Sequence, residues 1–313
     1  MSKIKNVLVT GGCGFIGSNL INSLLKNTRW NIYNIDKISY VSDEDFIEDR
    51  TNSKYNLLKM DLLDYDLLQQ LFINIDFDLV IHLAAESHVD NSFESPLKFT
   101  QNNVIATQNI LECIRTIDPS IKMIHFSTDE VVGDDNPEGE SEDYYCPTNP
   151  YAASKAAAEM LCKSYIKSYK LDIIITRCNN VFGSNQFIEK VIPKFIHLIK
   201  QGKKLPIQGA GTQLRCFIHV EDVISAIVLI IKKWKKNQVY HISSDYEINI
   251  LLLAKKIIEI YHPGVIFQEY IEFIPDRLYN DRRYYITSGK LEKLGWKPEK
   301  DFDEELTRLV LEL

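Results

Sequence analysis

The chain has no run able to span a membrane: among its 313 residues the longest strongly apolar stretch, around Val223 to Ile231, is far too short to cross a bilayer. The amino terminus passes through two lysines into Val7, Leu8 and Val9 without the apolar core or small-residue cleavage site of a secretory leader. Cysteine is sparse. Cys13, Cys113, Cys146, Cys162, Cys178 and Cys216 form no C-x-x-C pair and no disulfide framework, so free thiols in a reducing compartment are expected. The seven histidines show no ligand spacing with cysteines or carboxylates, and no metal is expected. Positive charge is short as well: 36 Lys plus Arg against 43 Asp plus Glu leave a net charge of −7, which argues against nucleic acid or an anionic membrane as partner. These absences together predict a soluble, cytoplasmic protein in which any phosphate-bearing ligand meets a local basic pocket.

What is present is ordinary globular usage. With 45% hydrophobic and 25% charged residues, the chain can build a sizeable core without disulfides or metal. From residue 4 to about 177, short β-branched runs alternate with helical stretches: Ile4 to Thr10, Trp30 to Ile35, Tyr55 to Met60, Asp78 to Leu83, Met123 to Ser127 and Asp172 to Arg177 read as strands buried on both faces. Phe15 to Lys26, Pro96 to Ile117 and Tyr151 to Tyr169 read as the helices covering them. The expected fold is α/β, a Rossmann-like doubly wound parallel sheet. After Arg177, glycines and prolines break shorter elements and predict a smaller C-terminal lobe. The division is 1–177 and 178–313, with the chain returning to the first domain at about 220–245.

The strand ending at Thr10 runs into Gly11, Gly12, Cys13, Gly14, Phe15, Ile16 and Gly17, satisfying both G-x-x-G-x-x-G and G-x-G-x-x-G at a strand-to-helix turn. Backbone without side chains can approach a pyrophosphate closely, and the next helix offers free N–H groups and its positive dipole end. Asp36 ends the second strand about twenty residues later, where a carboxylate accepts from ribose hydroxyls and repels a 2′-phosphate. NAD is therefore favoured over NADP, although Lys37 follows directly. Asp61 is placed to meet the adenine or to start a helix, and the small residues Ala84, Ala85 and Ser87, beside Glu86, leave room at the sheet's carboxyl edge.

Tyr151 and Lys155 are four apart at a helix start and share one face. A neighbouring ammonium stabilises a phenolate, so Tyr151 could take a proton from a sugar hydroxyl as hydride leaves the same carbon. The fifth strand delivers Thr128, Asp129 and Glu130 to the same edge. Alcohol oxidation alone needs only a hydroxyl there, so two carboxylates imply a second reaction that uses an acid and a base. A buried like-charge pair should raise one pKa and leave one group protonated.

These stretches, with His88 to Phe93, Phe99 to Asn103, Pro147 to Lys155, Asn179 to Gly183, Asn185 to Lys190, Asp276-Arg277 and Asn280 to Tyr284, resemble the nucleotide-glucose 4,6-dehydratases, extended short-chain dehydrogenases/reductases, and most of all the UDP-glucose branch of rhamnose synthesis. The resemblance runs over nearly the whole chain. It implies an NAD-dependent hydro-lyase acting on UDP-glucose or dTDP-glucose, with Thr128, Asp129, Glu130, Tyr151 and Lys155 catalytic. It implies cofactor contacts from Gly11, Gly14 to Gly17, Asp36, Lys37, Asp61, Leu62, Ala84, Ala85, Ser87 and Asn102. Ser87, Thr128, Asn180, Lys190, Arg215, Arg277 and Arg282 would hold the nucleotide sugar, mainly from the C-terminal lobe. A homodimer pairing Pro96 to Ile117 with Tyr151 to Tyr169 is also implied. Val132 stands where the family usually has tyrosine, which would remove a hydroxyl near the sugar. Two alternatives share these motifs: a nucleotide-sugar 4-epimerase, which needs no Asp129/Glu130 pair, and a non-catalytic NAD-binding protein.

Overall fold

A computed structural model describes residues 4–134 and 142–312; Met1 to Lys3, the start of the segment read for a leader, lie outside them. In chain order the strands are β1 (Asn6–Thr10), β2 (Asn31–Asp36), β3 (Tyr55–Lys59), β4 (Leu79–His82), β5 (Lys122–Thr128), β6 (Ile173–Cys178), β7 (Asn180–Phe182), β8 (Leu205–Gln208), β9 (Leu214–His219), β10 (Val239–Ile242), β11 (Glu247–Asn249) and β12 (Ile271–Ile274). The helices are α1 (Phe15–Asn27), α2 (Tyr65–Asn74), α3 (Val89–Glu94), α4 (Pro96–Phe99), α5 (Ala106–Ile117), α6 (Pro150–Tyr169), α7 (Val191–Lys200), α8 (Val220–Lys232), α9 (Ile250–Tyr261), α10 (Gly289–Glu292) and α11 (Phe302–Glu312).

The main sheet has the order β10-β6-β5-β4-β1-β2-β3, and its neighbouring strands pair in parallel. Its residues alternate between two buried faces, as a pleated strand requires. Val7, Val9, Ile81, Ile124 and Ile174 pack with α1 and α8, whereas Leu8, Val80, Met123, Ile173 and Ile175 pack with α2, α5 and α6. Helices on both sides explain why these strands read as continuous apolar runs. The expected return to the sheet is β10, which pairs with β6 after α8 has crossed over.

Beyond β6, two small sheets, β11-β9-β7 and β12-β8, pack with α7, α9 and α11 around Phe182, Phe195, Phe217, Ile257 and Leu306. The stretch expected as one helix from Pro96 to Ile117 is helical throughout, but Thr100–Ile105 between α4 and α5 is π-helical. One wide turn re-aims the side chains that leave it. All six cysteines are free. Among the described residues no helix is long and apolar enough to cross a membrane.

Candidate active site

The strand order reverses between β1 and β4, because the chain leaves β3 at one edge and re-enters beside β1 as β4. Ligands in open α/β sheets bind at the carboxyl edge at such a point. A cavity of about 450 Å³ opens there, running from the glycine turn past Thr128 and Tyr151 to Arg215 and Arg277 in the C-terminal lobe. Each candidate binding or catalytic residue named above lines it, with the exception of Arg282. Arg282 is exposed, and its carbonyl accepts from Leu214 N–H at 2.8 Å. Arg282 therefore does not stand among the residues around the cavity in this structure.

The dinucleotide end fits its expected occupant. Gly11 has φ +70°, and a Cβ on it would lie 2.8 Å from the Ala84 backbone. A Cβ on Gly17 would lie 2.2 Å from Gly11 O. Neither neighbour is a side chain that can move aside. Gly14 precedes α1 with no side-chain cap, and the first turn carries no acidic residue, so its N–H groups remain available to an anion. Asp36 is almost fully buried and holds the surrounding loops: its carboxylate accepts from Cys13 N–H at 2.9 Å, Ile38 N–H at 2.8 Å and Ser42 Oγ at 3.1 Å. Lys37 lies 3.9 Å from both Asp61 and Glu86 and donates to Asn102 Oδ1. It is thus surrounded by acceptors rather than free for a 2′-phosphate. The π-helical turn directs Asn102 to Lys37, and the next residue, Asn103, to Glu86 and to Ser154 Oγ at 2.8 Å.

Tyr151 lies in the first turn of α6, after Pro150 and Asn149, whose side chain caps the helix by accepting from Ala152 N–H at 2.9 Å. Burial, then the Glu130 and Asp129 charges, push the Tyr151 phenol well up, while the Thr128 hydroxyl acts the other way. Lys155 is pulled down to about 8 by burial and donates from Nζ to Phe126 O at 2.6 Å. Its ammonium is thereby fixed beneath the sheet edge, and the phenolate stabilisation expected from it is outweighed by burial and the carboxylate charges around Tyr151.

Asp129 is 2% exposed, and burial with the neighbouring Glu130 pushes its carboxyl up to about 7. Asn179 Nδ2 donates to Asp129 Oδ2 at 2.9 Å and Thr128 Oγ1 to Oδ1 at 3.2 Å. Glu130 is also raised by burial, but Lys190 and Arg215 oppose the rise. The like-charge effect expected from adjacency is therefore secondary to desolvation. Asn149 Nδ2 and the Tyr284 hydroxyl each lie 3.4 Å from Glu130 Oε2. Asn149, Asn179 and Tyr284 were not singled out as site residues; the Asn-Pro pair at 149–150 is a legible cap signal, whereas nothing local points to the other two.

From the C-terminal lobe, Lys190 Nζ donates to Ser87 O at 2.6 Å, and Asn180 lines the cavity beside Cys216. Arg215 donates to Asp281 O at 2.9 Å and Asn280 Oδ1 at 3.1 Å. Arg277 donates to Gln208 Oε1 at 2.9 Å and lies 3.2 Å from Asp90. Val132 is fully buried with Val131, Ala156 and Ile286 and does not line the cavity. The expected loss of a sugar contact there is withdrawn, since the side chain at 132 fills a small apolar cluster.

The family described as GDP-mannose 4,6 dehydratase matches residues 8–309. The chain belongs to this nucleotide-sugar 4,6-dehydratase family. Similar family members include a trifunctional UDP-glucose 4,6-dehydratase/UDP-4-keto-6-deoxy-D-glucose 3,5-epimerase/UDP-4-keto-L-rhamnose-reductase of Arabidopsis thaliana, 38% identical over 98% of this chain and 47% of that protein. The chain thus spans about half the length of that relative. A dTDP-D-glucose 4,6-dehydratase of Homo sapiens is 37% identical over 98% of this chain and 89% of its own length. The crystal structure of a Streptomyces venezuelae dTDP-glucose 4,6-dehydratase with NAD bound has a TM-score of 0.92 and 32% identity, covering 98% of this chain and 96% of that one. Its fold is the doubly wound α/β architecture described above.

Proposed function

We propose that the chain is an NAD-dependent hydro-lyase that removes water across C5 and C6 of a nucleoside-diphosphate glucose, with UDP-glucose the favoured substrate and dTDP-glucose the second. The observation that carries this reading is a buried carboxyl held near neutrality, Asp129, beside a second raised carboxyl, Glu130, and a tyrosine-lysine pair in one cavity. Oxidation and reduction of an alcohol leave such an acid-base pair without a task. NAD supplies a hydride acceptor at C4 and a donor at C6. Tyr151, with the Lys155 charge close by, takes the proton of the 4-hydroxyl. The 4-ketone acidifies the C5 hydrogen, which Glu130 removes while Asp129 protonates the departing 6-hydroxyl, so that water leaves. Glu130 exchanges that proton with solvent and then protonates C5. Thr128 holds the sugar oxygen, and Lys190, Arg215 and Arg277 offer the positive charge that a diphosphate requires. The subunits are proposed to pair through the helices that carry Asn102 and Tyr151. Incubation with UDP-glucose and with dTDP-glucose in deuterated water should yield the 4-keto-6-deoxy nucleotide sugar with deuterium at C5. Recovery of unchanged sugar, or of its 4-epimer, overturns the reading.

A further inference from the structure

Behind Glu130 lies a hydrogen-bonded group that the steps above do not use. Asp281 is 1% exposed. Thr148 Oγ1 lies 2.8 and 2.7 Å from its two carboxylate oxygens and donates its one hydrogen between them, and the Tyr284 hydroxyl donates to its Oδ2. Tyr284 is buried under the Arg215 guanidinium, 4.6 Å above the ring, and its oxygen is 3.4 Å from Glu130 Oε2. A phenol has one hydrogen. Once that hydrogen is given to Asp281, the Tyr284 oxygen offers Glu130 only lone pairs, which accept from a carboxylic acid and repel a carboxylate. A hydrogen bond available only to the neutral form favours proton uptake.

We propose that Asp281 is a positioning residue: by turning the Tyr284 hydroxyl away from Glu130, it makes Glu130 the acceptor of the C5 proton. The inference rests on the dehydratase reading. The Asp281 charge works in the same direction on Glu130, and Lys190 and Arg215 work against it. Asp129, Tyr151 and Asn149 complete the groups around it. Thr148, from the segment before α6, fixes the Asp281 carboxylate in place.

The test is Asp281→Asn, whose amide can donate to the Tyr284 oxygen and so release the phenolic hydrogen toward Glu130. The expected result is a kcat lower by about 10- to 100-fold with KM changed by less than about twofold. With substrate deuterated at C5, the kinetic isotope effect on kcat should grow, and 340 nm absorbance should build up in the steady state. The acid limb of the pH profile should move to lower pH. Thr148→Val, which keeps the carboxylate but frees it, should change the same readouts in the same direction by less, and it serves if the first variant does not fold. An unaltered isotope effect and acid limb in a folded variant overturn the proposal, as does a loss confined to KM. Failure of the unaltered protein to form any 4-keto-6-deoxy sugar overturns the dehydratase reading and the proposal with it. Normal wild-type turnover with an indifferent Asp281→Asn overturns the proposal alone.

Discussion

Asp129 and Glu130 are adjacent in the chain yet answer to different neighbours. Asp129 is held by Asn179 and Thr128 and feels Arg215, while Glu130 feels Lys190 as well as Arg215. In the proposed reaction Asp129 is the acid and Glu130 the base. An acid is active while protonated, so the dehydration rate should fall as pH rises through about 7; loss of the Lys155 charge above about 8 acts in the same direction. A kcat/KM profile from pH 5 to 11 checks this, and an alkaline limb near 10 would contradict it. The same shift bears on stability. The folded Asp129 pKa lies above the unfolded value of ~3.9, so its contribution is complete below about pH 4 and is lost as pH rises to the folded value. Asp129→Asn should therefore melt at a higher temperature than wild type at pH 8, with the gap closing toward pH 4, while turning over poorly. Glu130→Gln should lower dehydration by about 10²- to 10⁴-fold yet still permit the Tyr151-dependent 340 nm signal to form with substrate. Normal turnover in that variant would remove Glu130 from its role.

At the scale of single elements, the glycine turn and the first turn of α6 place the chemistry. Gly17→Ala drives a Cβ into the Gly11 carbonyl, which belongs to the backbone and cannot rotate away. The expected cost is about 1–3 kcal/mol of stability, together with weaker NAD binding, both readable by melting with and without the dinucleotide. Asn149 serves two elements at once, capping α6 and bonding Glu130. Asn149→Ala should cost about 1 kcal/mol from the cap and lower kcat as well. Asn149→Asp, which keeps the cap acceptor but places a second carboxylate by Glu130, should restore melting without restoring rate. The π-helical turn at Thr100–Ile105 shows where element reading stops: the apolar spacing marks a helix, but a single wide turn within it depends on the Asn103 bonds to Glu86 and Ser154 across the sheet edge.

At the scale of the molecule, the cavity exists because two lobes meet over the sheet's carboxyl edge. Asn91 Nδ2 donates to the Tyr40 hydroxyl at 3.1 Å, Tyr40 donates to Glu189 at 3.3 Å, and Lys190 reaches Ser87, so loops far apart in the chain close around one space. Leu97, Ile105, Met160 and Tyr169 remain exposed on α4, the π-helical turn and α6. If these helices pair two subunits, light scattering should give twice the chain mass, and Leu97→Asp with Met160→Asp should halve it; a monomeric wild type sinks the pairing. Strand-by-strand apolar runs, the Gly11 to Gly17 turn, Asp36 at a strand end, and the Tyr151-Lys155 spacing were all legible along the chain, because each depends on residues within one or two turns of each other. The sequence by itself determined the doubly wound sheet and the chemical types at its edge, since periodicity and motif spacing are local properties of a polypeptide. Only the tertiary structure decided that Arg282 does not line the cavity, that Val132 is core, that desolvation sets Asp129 near neutrality, and that Asp281 and Tyr284 stand behind Glu130. Burial and the meeting of segments some 150 residues apart arise from packing, which no stretch of chain contains on its own.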